Sequence, residues 1–69
     1  MTNKANALSE TIKEIEEVDS CIADLETDAR RDPDSKASRH NKFAVKALRR
    51  YRVRLIDDRD ALLKEMTET

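Results

Sequence analysis

Lys36, Arg39, Lys42, Lys46, Arg49, Arg50 and Arg54 recur at intervals that gather them on one broad side of a helix, with Phe43 and Val53 among them. Such a strip can hold phosphates while the ring stacks on a base. It can equally grip an acidic protein surface with Phe43 as the anchor. A third reading needs no ligand: the bases form a solvated face and Phe43 packs against a second copy. The acidic stretches on either side would repel phosphates, and a net charge of −1 is unlike that of a DNA-binding module. Nucleic acid is therefore possible but not favoured.

Other reactive side chains are sparse. With no glycine, the chain has no phosphate-cradling loop and no nucleophile elbow. One cysteine, Cys21, and one histidine, His40, cannot make a zinc site of the usual kind or an internal disulfide. Bundles that hold two metals use Glu-x-x-His motifs, and none occurs. Two helices also leave no room for the concave apolar pocket that substrates need. The expectation is a protein that is not an enzyme and has no cofactor and no metal. Cys21 reads as a surface thiol, with a disulfide between protomers as the alternative. His40 reads as an exposed histidine or a pH-responsive partner of Glu26. Glu10, Glu14, Glu17, Asp24 and Asp28 form an acidic outer face that is either solvated or a dock for a basic partner.

Two long helices would position these groups. Ala5, Leu8, Ile12, Ile15, Val18, Ile22, Leu25 and Ala29 follow each other at intervals of three or four, which predicts a helix over about 4–30. Thr2, Asn3, Asn6 and Ser9 are all possible caps for it. In one heptad frame Asp19 and Glu26 fall at the core edge, so the packing face is expected to rotate slightly midway. A second helix over about 33–66 carries Ala37, Asn41, Ala44, Leu48, Tyr51, Leu55, Asp58 and Leu62 in a strict heptad row. Asn41 and Asp58 are its polar members and candidates for fixing register. Val45, Arg52, Ile56, Arg59 and Leu63 flank that row and form a candidate dimer surface. Between the helices, at 31–35, Asp32 followed by Pro33 reads as an N-cap with proline at the first helical position.

Charge follows the same division. Residues 1–29 carry eight acids and two bases, residues 30–54 ten bases and two acids, and residues 55–69 five acids and two bases. An antiparallel hairpin sets the acidic helix beside the basic one, with Glu26 expected near His40 and Asp19 near Leu48 or Arg52. One long Pro-kinked helix in a parallel coiled coil is the alternative fold.

The expected fold is thus all-α, a single helical-hairpin domain over 1–69 with frayed ends at 1–3 and 67–69. A chain of 69 residues buries a modest core, and without a disulfide or metal the remaining means of adding to it is oligomerisation. A homodimer forming a four-helix bundle is expected. In architecture alone this plan resembles the helical hairpins of the plasmid copy-number regulator Rop; no motif is shared, so no residue role follows. No run is long and apolar enough to span a membrane or to serve as a signal peptide, so the expectation is a cytoplasmic protein with no membrane contact. The function expected is that of a small interaction or regulatory module working through an unknown protein partner and self-association. The alternatives are a nucleic-acid-binding regulator and a structural assembly subunit.

Overall fold

The computed structural model describes residues 3–67, folded as two helices laid antiparallel in a rod of 53 × 17 × 15 Å. Helix α1 runs from Lys4 to Arg31 and α2 from Lys36 to Thr67. The all-α hairpin is the architecture the periodicity predicts, and a continuous kinked helix is excluded. Residues 1, 2, 68 and 69, where most of the expected fraying would fall, lie outside the described residues. Asn3 is the cap of α1, its Oδ1 accepting from the Ala5 N–H at 2.9 Å, and Thr67 is helical.

Helix α1 stops because Asp32 precedes proline. The Pro33 ring disfavours helical backbone at the residue before it, and Asp32 adopts φ −147°, ψ 80°. Pro33 also has no N–H to offer the carbonyl of Ala29, four residues back. That carbonyl accepts from the hydroxyl of Ser38 instead, at 3.1 Å. Ala29 is buried and Ser38, at 2% exposed, is the most enclosed side chain among the described residues. Arg30 and Arg31 occupy the last turn of α1, where cations suit the negative helix end.

The cap of α2 differs from the one expected. Ser35, not Asp32, starts the helix: its Oγ accepts from the Ser38 N–H at 3.0 Å, and its carbonyl takes the first helical bond from Arg39. Asp32 and Pro33 open a four-residue turn closed by the Ser35 N–H on the Asp32 carbonyl at 3.2 Å. Asp-Pro is as good a start for such a turn as for a helix, so the dipeptide alone does not separate the two. Asp34 consequently lies in the turn and outside the first turn of α2.

The core holds Ile15, Val18 and Ile22 of α1 against Val45 and Leu55 of α2, with Leu25, Leu48 and Ile56 packed on it. Inward positions of α1 are Leu8, Thr11, Ile15, Val18, Ile22, Leu25 and Ala29, an unbroken alternation of three and four. Thr11 replaces Ile12 in this row, so the face does not rotate midway as expected. Thr11 tolerates its half-buried place because its hydroxyl donates to the Ala7 carbonyl at 2.8 Å.

In α2 the inward row is Ser38, Asn41, Val45, Leu48, Arg52, Leu55, Arg59 and Leu62. Half of this row matches the expected one. The other half is displaced by one residue: Ala37, Tyr51 and Asp58 are exposed, and Ala44 is half-buried. Asp58 is therefore not a seam residue, and Val45 and Arg52, expected at a dimer flank, belong to the hairpin itself.

Ser38→Ala would leave the Ala29 carbonyl buried without a partner. It is expected to lower the unfolding free energy by about 1–3 kcal/mol in a urea titration. An unchanged midpoint would show that the bond does not hold the turn.

Candidate interaction face

Two ion pairs line one edge of the seam. Arg52 reaches Asp19 with Nε at 2.6 Å from Oδ1, the pairing expected from an antiparallel register. Glu26 accepts from Arg49 at 2.9 Å, where His40 was the expected partner. Lys4 and Glu65 meet at 3.5 Å near the open end. These groups are substantially exposed, so each pair contributes roughly 0–1 kcal/mol, and together they favour one orientation of the hairpin. Arg52 occupies an inward position because its aliphatic stem can lie along apolar neighbours while its head reaches outward.

On the opposite edge the Tyr51 hydroxyl donates to Glu14 Oε1. This hydrogen bond is the main reason the Tyr51 phenol is held above its ordinary pKa, with partial desolvation and the charges of Glu14 and Asp58 adding to it.

All eight members of the predicted strip, Lys36, Arg39, Lys42, Phe43, Lys46, Arg49, Arg50 and Arg54, are exposed along α2. Phe43 is 77% exposed and Val53 59%. Arg49 is engaged by Glu26; none of the other six cations lies within ion-pair distance of a described carboxylate. Phe43, Lys46, Ala47 and Arg50 together border a shallow depression. The remaining candidates of the flank, Ile56, Arg59 and Leu63, range from half-buried to exposed.

Folding adds a feature that neither helix has alone. An open groove of about 460 Å³ lies beside the turn, with Ala29, Pro33 and Val45 as its apolar surface, Arg30, Lys42, Lys46 and Arg49 as its cations and Glu26, paired with Arg49, as its one acid. The two helices thus form an open concavity beside the turn. Arg30 was readable from sequence as a helix-end cation; its place in the groove depends on the chain reversal. Among the described residues no cluster of His, Cys, Asp and Glu could hold a metal ion, and no helix is long and apolar enough to cross a membrane.

No protein-family model matches the chain, and no curated protein or solved structure matches it.

Ultraviolet titration of Tyr51 tests the outer edge. With its pKa raised in the folded state, the neutral phenol contributes stability that is fully present below the unfolded value, near 10, and lost as pH rises through the folded value. Glu14→Gln is expected to lower the ionisation midpoint towards that of free tyrosine. A midpoint that does not move would mean the Glu14 contact is not kept in solution.

Proposed function

We propose that the hairpin is a non-enzymatic interaction module of the cytoplasm that docks an acidic protein partner on the outer face of α2 around Phe43 and Arg50 and self-associates through the neighbouring face beside the seam. The observation that carries this reading is Phe43, 77% exposed and bordered by Lys46 and Arg50. Covering an aromatic of this size gains about 1.5–3 kcal/mol. Aromatic and arginine side chains are also the residues that most often dominate binding energy at protein interfaces.

Charge supports a protein over a nucleic acid. Phosphates on the strip would face repulsion from the acids of α1 and from Asp57, Asp58 and Asp60 farther along α2. A folded partner with a localised acidic patch can meet the strip while avoiding both.

Affinity capture from the native host, compared between the parent chain and Phe43→Ala, identifies and tests the partner. The expected result is a retained protein whose affinity falls about thirty-fold in the variant, corresponding to roughly 2 kcal/mol at a central anchor. Because Phe43 is exposed, the variant should keep the parent's helicity. Titration with single-stranded and duplex nucleic acid at two salt concentrations supplies the opposing result. Tight binding that collapses as salt rises, and that Phe43→Ala weakens, would overturn the protein reading in favour of a nucleic-acid ligand.

A further inference from the structure

The intramolecular seam leaves apolar side chains on one broad face of the rod. Ile12 is 40% exposed, Leu63 42%, and Ile56 is half-buried. On helical geometry all three lie within about a quarter-turn or so of the seam, on the side where Asp19 meets Arg52 and Glu26 meets Arg49. They fall in the half remote from the turn. Towards the turn, the same face carries the basic groove around Val45. The other broad face has the Tyr51–Glu14 hydrogen bond, Cys21 and small side chains such as Ala44.

We infer that a second copy of this chain covers this face, in a two-fold arrangement with both turns at the same end, so that α2 of each copy lies across α1 of the other. The inference rests on the self-association proposed above and specifies its geometry. Two face-to-face arrangements have the required symmetry. With turns at opposite ends, the apolar half of each copy would lie on the basic groove of the other. The acids at the middle of α1, Glu16 and Asp19, would then oppose their own counterparts. With turns at the same end, the two apolar halves coincide, and each acidic α1 meets a basic α2.

The register within the hairpin says which residues share a height. Asp19 is level with Arg52 and Ala29 with Ser38. Across the proposed interface, Ile12 of one copy is then level with Ile56 of the other, Glu16 with Val53, and Glu26 with Lys42. Hydrophobic burial and charge pairing therefore favour the same choice. A face 53 Å long and 17 Å wide also has room for the roughly 800 Å² per partner typical of stable dimers.

Light scattering on the full chain at micromolar concentration is expected to give twice the chain mass, and Ile12→Glu to shift the protein towards monomer. For the arrangement, Glu16→Cys and Val53→Cys are combined in a Cys21→Ser background and mildly oxidised. Both positions are exposed and point away from each other within one hairpin. The expected product is a covalent dimer whose peptides are joined from position 16 of one copy to position 53 of the other. Each single variant should remain uncrosslinked. Links from 16 to 16 or from 53 to 53 would overturn this arrangement while leaving self-association standing. A monomeric parent chain would overturn both. Neither result bears on whether Phe43 docks a partner.

Discussion

The hairpin depends on one missing donor. Pro33 cannot supply the N–H that would close the last helical bond to the Ala29 carbonyl, and the reversed chain supplies a hydroxyl from Ser38 in its place. The same serine gives its own N–H to Ser35, so a single residue satisfies the end of α1 and the start of α2. Ala29 and Ser38 are both buried, where an unpaired polar atom is costly, and the pairing therefore restricts how α2 can be rotated as it leaves the turn. Everything farther along α2 inherits that rotation through the helical repeat.

Its first consequence is the composition of the seam. The row of α2 that turns inward contains Ser38, Asn41, Arg52 and Arg59 among its apolar members, whereas that of α1 is apolar but for Thr11. A lone helix with such a row would have little reason to pack in one register. Here Arg52 has a partner at the edge in Asp19 and Ser38 one in the Ala29 carbonyl, and the ion pairs on the Arg52 side orient the two helices although each is individually weak. The rod consequently has unlike faces. Along one edge lie the Asp19–Arg52 and Glu26–Arg49 pairs; on the other lies the Tyr51–Glu14 hydrogen bond.

Much of this was legible in the residues. The spacing of Ile15, Val18 and Ile22 and of Leu48, Leu55 and Leu62 identifies two helices, because burial on one side demands that period whatever the partner. The exposure of Phe43 and the surrounding cations follows from their position opposite the apolar row. Less legible was the choice between Ala37, Ala44, Tyr51 and Asp58 and the neighbouring row Ser38, Val45, Arg52 and Arg59. On hydrophobicity the first set looks no worse, since Ala44 and Tyr51 are offset by Asp58 and Val45 by two arginines. The complementarity of Asp19 and Arg52 was the available signal for the second. The groove was less legible still, because Arg30 and Lys42 belong to different helices and meet at one concavity through the turn.

What the sequence by itself determined is therefore local and periodic: two amphipathic helices, a break at Pro33, and opposite charge on the two arms. These follow from backbone sterics and from the need to bury one side of each helix, and neither requires knowledge of the partner. Tertiary structure alone decided the rotation of α2 about its axis, the capping by Ser35, and the union of Arg30 with the strip of α2. Rotation is a property of two surfaces in contact. A one-residue shift between adjacent heptad rows alters the local pattern little, yet it exchanges which side chains face the other helix.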